Sequence, residues 1–88
     1  MIQVTKKRGF IKEATLAKKR GLKMWKIEYV INCLASKEPL PEALRNHKLQ
    51  GKYNGLWECH IAPDWLLIYE KTKDEIILTR TGTHSDLF

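Results

Sequence analysis

Between Leu56 and Thr81 three apolar runs alternate with two tight turns, and no other part of the chain restricts the fold as strongly. Leu56–Ile61 and Trp65–Lys71 flank Ala62-Pro63-Asp64, where proline suits the first corner of a turn. Lys73-Asp74 then separates the second run from Glu75–Thr81, which is rich in Ile, Leu and Thr. Runs of this length and composition predict three strands joined as consecutive hairpins. A sheet built this way must bury one face against other elements.

The first half supplies that cover. Ile2-Gln3-Val4 predicts a short strand, and Thr5 is placed to N-cap a helix beginning just after it. From about Lys7 to Arg20, the residues Phe10, Ala14 and Ala17 recur at helical spacing with Ile11 alongside, and Gly21 is placed to end the helix. A second helix is predicted over Lys23–Ser36, with Met24, Ile27, Ile31, Leu34 and Ala35 on one face and Val30 beside them. Few residues join the two, so an antiparallel helical hairpin is expected. Glu38-Pro39-Leu40-Pro41 ends the helical half. Residues 37–52 read as loop, with one helical turn near 42–45. The order β-α-α-β-β-β predicts an α+β fold: one domain over residues 1–88, a mainly antiparallel sheet, and the helical hairpin on one face.

Charge narrows the partners. Lys and Arg number 16 against 10 Asp and Glu, a net charge of +6. Residues 6–26 carry nine of the cations and only Glu13 in opposition. Such a stretch favours RNA, DNA, an anionic membrane or an acidic protein. A membrane span needs ~18 apolar residues in a row, and no segment approaches that. Residues 1–25 lack the apolar region of a signal peptide, so a cytoplasmic location away from membranes is expected. Cys33 and Cys59 form no metal-binding spacing and read as buried, reduced thiols.

The three histidines lie in three short segments of the second half: Asn46-His47-Lys48-Leu49-Gln50-Gly51, Glu58-Cys59-His60-Ile61-Ala62-Pro63-Asp64-Trp65, and Arg80-Thr81-Gly82-Thr83-His84-Ser85-Asp86-Leu87-Phe88. The last segment reads as a strand end carrying reactive groups. Antiparallel pairing brings the end of the first strand, the start of the second and the end of the third to one sheet edge. His60, Asp64, Trp65, Arg80 and His84 are therefore expected there, with Asp64 paired to His60 across the hairpin turn. The placement of His47 stays open. Imidazoles, a carboxylate and an arginine suit phosphodiester cleavage in RNA, whose own 2′-hydroxyl is the nucleophile. Histidine titrates near neutrality and fills either proton-transfer role. Arg80 would stabilise developing charge, and Trp65 and Phe88 would stack on an unpaired base. Two other readings of these residues stay open: a zinc-binding nucleic-acid module, although no ligand pair has helical i, i+4 spacing, and a non-catalytic interaction module.

The three motifs together resemble the YafQ branch of the RelE/ParE toxin superfamily, in order, spacing and length. The resemblance implies the toxin of a type II toxin–antitoxin pair. Such a toxin is a ribosome-dependent endoribonuclease that cuts mRNA without a metal or other cofactor and is silenced by a cognate antitoxin protein. It implies catalytic roles for His47, His60, Asp64 and His84, and substrate contacts from Trp65, Arg80 and Phe88. Many relatives have an arginine just before the acidic residue of the second motif. Here that position is Trp57, and Lys52 is the expected substitute for its phosphate contact. The same superfamily contains the gyrase-poisoning ParE branch, which implies an alternative: a non-enzymatic toxin of the same fold.

Overall fold

The structure, a computed structural model, describes residues 2–88. In chain order the elements are β1 (Gln3–Lys6), α1 (Arg8–Lys19), α2 (Met24–Ala35), β2 (His47–Lys48), β3 (Trp57–Ala62), β4 (Trp65–Lys71), β5 (Glu75–Gly82) and α3 (His84–Leu87). Short 3-10 turns lie at Glu42–Leu44 and Gly51–Tyr53. The described strands form one sheet in the order β1-β5-β4-β3-β2. β1 runs parallel to β5, and the other pairs are antiparallel. This is the expected mixed α+β architecture, with two short elements added.

Pleat alternation divides the sheet residues between two clusters. On one face Cys59, Ile61, Trp65, Leu67, Tyr69, Ile76 and Leu78 pack with Phe10 and Ala17 of α1 and with Ile27, Val30 and Leu34 of α2. On the other face Leu66 and Ile68 pack with Tyr53 and Leu87. Thus α1 and α2 cover one face, as expected, and α3 with the 51–53 turn covers part of the other. The helices contact the sheet more than each other: α1 lies on β5, and α2 spans β3 and β5. The two helices, joined by four residues, share one core cluster on that face, as the expected helical hairpin requires.

Both helix ends have a local cause. α1 closes in a Schellman motif: Gly21 takes φ 83°, its N–H bonds to the Lys18 carbonyl, and the Leu22 N–H bonds to Ala17. α2 closes the same way without a glycine. Lys37 takes φ 59°, and the N–H groups of Lys37 and Glu38 reach the carbonyls of Leu34 and Cys33. At the start of α1 the structure corrects one expectation. Thr5 lies inside β1 and donates its hydroxyl to Glu75, and the N-cap is Lys7, without a side-chain cap. The neighbouring β1 pairs with β5 as far as Lys6–Leu78, so the strand would be broken if Thr5 turned to cap the helix.

Both cysteines are free and buried, as their apolar surroundings suggested. Burial pushes the Cys59 thiol up to about 12, so it stays protonated. No helix among the described residues is long and apolar enough to cross a membrane.

Candidate active site

The site lies on the sheet face opposite α1 and α2. In β3 the period of two places Glu58 and His60 on that face, paired in register with Ile68 and Leu66. β2 adds to the edge of β3 with His47 directly opposite Glu58. The turn into β2 uses Arg45 in the left-handed region, φ 50°, and the Arg45 carbonyl lies 2.6 Å from Nδ1 of His47. This fixes the ring that the sequence left unplaced. Glu58 is only 5% exposed. One of its oxygens is 3.4 Å from Nε2 of His47 and 3.4 Å from Nε2 of His60. A buried carboxylate therefore sits between two imidazoles.

The β3–β4 turn presents Asp64, and the end of β5 delivers His84 to it. His84 is the first residue of α3, where the amide has no partner within the helix. That amide donates to Asp64 Oδ1 at 3.0 Å, and the ring's Nδ1 lies 2.7 Å from the same oxygen. These two bonds from His84, backbone first, hold the Asp64 carboxyl below its ordinary range. The rings of His60 and His84 stand 5.6 Å apart, edge to face. Five groups thus form a line: His47, Glu58, His60, His84, Asp64.

The one expected pairing changes here. Asp64 pairs with His84, not with His60, and Glu58 takes the place beside His60. The last segment is a strand end only as far as Gly82. Beyond it His84–Leu87 forms α3, with a capping box in which the Thr83 hydroxyl accepts the Asp86 N–H and Asp86 accepts the Thr83 N–H. The sequence signal for this was Thr83 followed three residues later by an acid.

The substrate-contact candidates separate. Phe88 is 59% exposed, with its ring edge-on to Tyr53 at 5.3 Å. Lys52 is exposed, 5.3 Å from the centre of the same Tyr53 ring, and close to this face. Trp65 is a core residue, 2% exposed, on the helix-covered face. Its indole N–H donates to Thr81 Oγ1 at 2.9 Å, and Thr81 donates on to the Leu66 carbonyl. No ring face is left for a base, because apolar burial and the Thr81 bond hold the indole inward. Arg80 faces Glu13 of α1 in a two-point pair, Nη2 to Oε2 at 2.6 Å and Nε to Oε1 at 3.3 Å. Its Nη1 donates to the Tyr53 hydroxyl at 2.9 Å. The guanidinium is held by these partners but stays 32% exposed, and its register opposite Ile68 puts it on the sheet face that carries Glu58 and His60. Sequence reasoning missed Glu13 and Tyr53, whose roles depend on partners 67 and 27 positions away.

This arrangement can move protons at neutral pH, orient an imidazole through a carboxylate, and offer an exposed ring and a lysine to a nucleotide. Comparison with known proteins points the same way. The family model described as "Bacterial toxin of type II toxin-antitoxin system, YafQ" matches residues 2–88. The chain is 40% identical over 80 residues to the mRNA interferase toxin YafQ of Escherichia coli K12, covering 90% of this chain and 87% of that protein. Among solved structures, YafQ in the E. coli DinJ–YafQ toxin–antitoxin complex superposes with a TM-score of 0.91 at 36% identity, over 99% of this chain and 97% of that one. A copper-bound variant of a toxin from Helicobacter pylori superposes with a TM-score of 0.94 at 39% identity, over the whole of both chains.

Proposed function

This chain belongs to the YafQ family of toxins from type II toxin–antitoxin systems, and from that premise we propose that it is an endoribonuclease cutting mRNA on the ribosome. The observation that carries the reading is the line of three imidazoles and two carboxylates on one sheet face. The related E. coli protein is named an mRNA interferase, and a related toxin is held by an antitoxin. A cognate antitoxin, the ribosome and mRNA are the partners this reading assigns, and the whole of residues 1–88 acts as the toxin domain.

The reaction proceeds through the RNA 2′-hydroxyl. With Nδ1 facing Asp64, His84 has Nε2 free to accept the 2′-hydroxyl proton. The carboxylate holds the ring and its tautomer in place, as in other carboxylate–histidine pairs. The 2′-oxygen then bonds to phosphorus, and the bond from phosphorus to the 5′-oxygen breaks. His60, or His47 beside it, delivers a proton to the departing 5′-oxygen, with Glu58 as the counter-charge of that acid. Each proton transfer contributes roughly 10²–10⁴-fold. Lys52 is the cation for the phosphate, since it has no carboxylate partner among the described residues. Phe88 stacks on a base. Trp65 and Arg80 act indirectly, by holding β4, β5 and Tyr53. No step is assigned to a metal.

The test is induction in cells followed by mapping of mRNA 5′ ends against reading frame. Cuts at a fixed position within codons, confined to translated regions and lost in His84→Ala, are expected. Growth arrest with intact mRNA would overturn the reading and favour the gyrase-inhibitor alternative.

A further inference from the structure

α3 is four residues long and carries His84, so little within the helix itself fixes its position. Its anchors come from elsewhere. At its start, Arg20, the C-cap of α1, donates from Nη1 to Asp86 Oδ2 at 3.0 Å, the same oxygen that accepts the Thr83 amide. Gly82 makes room for this fold-over: a Cβ there would lie 3.0 Å from both Cβ and Oδ2 of Asp86. At its end, the Leu87 carbonyl accepts the Tyr53 hydroxyl at 2.8 Å. That hydroxyl in turn accepts from Arg80, which is held two-fold by Glu13 of α1. Both chains of polar contacts start on α1. Glu13 and Arg20 are seven residues apart, two helical turns, and so share a face. They line the same open groove of about 830 Å³ between α1 and the end of β5, together with Arg80 and Asp86.

We infer that Glu13 and Arg20 are positioning residues for the cleavage reaction, holding α3 at both ends so that His84 meets Asp64. The inference rests on the proposal that His84 carries cleavage. It gives α1 a task that its charge alone does not suggest. Arg20 stands among the basic residues expected to meet RNA, yet its partner is a carboxylate of the same chain. Arg20 is 44% exposed and Asp86 33%, and an ion pair so open adds little to stability. Its effect is on geometry, and a displacement of 1 Å at a reacting group is worth up to about 100-fold in rate.

Two readouts test this in the full chain. The first is kcat and KM for cleavage of mRNA on programmed ribosomes. The second is the nuclear Overhauser effect between the His60 and His84 rings in the free protein. Arg20→Ala and Asp86→Ala are each expected to lower kcat about tenfold with KM nearly unchanged. Both should weaken the ring–ring signal. Asp86→Ala makes the surface more basic, so a loss of rate there runs against simple RNA attraction. Arg20→Lys restores most of the rate, and Glu13→Gln combined with Arg20→Ala loses more than either alone. Asp86→Asn, which keeps an acceptor in place, guards against misfolding as the cause. Unchanged kcat and an unchanged ring–ring signal in Arg20→Ala and Asp86→Ala would overturn the inference. So would a raised KM at constant kcat, which would make Arg20 an RNA contact. If the signal weakens while His84→Ala still cleaves normally, positioning stands and the catalytic reading of His84 falls.

Discussion

At the scale of residues, the site consists of two carboxylate–imidazole groups that differ in burial. Asp64 is exposed and holds His84 through two hydrogen bonds. Glu58 is buried and lies between His47 and His60. Partners within one group should couple energetically, and partners in different groups should not. We expect the cleavage losses of Asp64→Ala and His84→Ala to be strongly non-additive, and those of Asp64→Ala and His60→Ala to multiply. A double-mutant cycle on single-turnover rates checks both. Replacing Glu58 with Gln keeps the shape but removes the counter-charge of the acid, and should lower the rate by about 10²-fold.

The same groups set a pH dependence. The bonds from His84 lower the Asp64 carboxyl, and the Thr83 amide, then Arg20, lower that of Asp86. A carboxylate lowered on folding contributes stability that is fully present above its unfolded value, about 3.9. That contribution is lost as pH falls through the lowered, folded value. The part of α3 docking that these two carboxylates contribute should therefore persist as pH falls to about 5 and fail only below the ordinary carboxylate range. Amide exchange at His84 and Phe88 measures this directly.

At the scale of elements, the long segments were legible and the short ones were not. The helices predicted over 7–20 and 23–36 are Arg8–Lys19 and Met24–Ala35, because their apolar spacing is what packs them on the sheet. The three hairpin strands were equally legible, since β4 is apolar from Trp65 to Tyr69 and the turns flank it. β2 has two residues and α3 has four, too few for a periodic signal. Both exist because of contacts with distant residues: β2 through Glu58 and Trp57, α3 through Asp64, Arg20 and Tyr53. For the same reason the candidate residues that gather on this face could be proposed from sequence while their pairing could not. The position of His84 and the partner of Asp64 both depend on α3. Trp65 shows the converse. Its place between Asp64 and an apolar strand suggested a substrate contact, but the pleat turns it to the core.

Two stability predictions belong here. Lys37 ends α2 in the left-handed region at φ 59°, a conformation that costs a non-glycine residue about 1 kcal/mol. Lys37→Gly should raise thermal stability by up to that amount. Leu78 is fully buried beneath α1 and α2, so Leu78→Ala should cost about 2–5 kcal/mol. Leu16, 43% exposed beside the groove, should cost within about 0.5 kcal/mol on the same change. Denaturant unfolding of the three variants orders them.

At the scale of the whole molecule, nine of the sixteen cations lie in residues 6–26, outside the strands and the terminal helix that carry the imidazoles. The imidazole line is on the face opposite α1 and α2, whereas the run of cations belongs to the helical half. Lys18, Lys19 and Lys23 are exposed and take part in no salt bridge among the described residues. On the proposed function, these lysines are the surface offered to ribosomal RNA. Changing these three lysines to glutamate should weaken ribosome binding and flatten its salt dependence, while leaving the His60–His84 geometry intact. Unchanged affinity and salt slope would make them an ordinary solvated face.

The central claim is that the imidazole–carboxylate line cuts RNA by activating its own 2′-hydroxyl. The most direct test is a ribosome-bound mRNA with a single 2′-deoxynucleotide at the scissile position, compared with the all-ribose message at equal occupancy. Loss of cutting at that position alone is predicted, with the all-ribose message yielding a 2′,3′-cyclic phosphate and a 5′-hydroxyl. Cutting of the 2′-deoxy message at the normal rate, or products ending in 5′-phosphate, would contradict it.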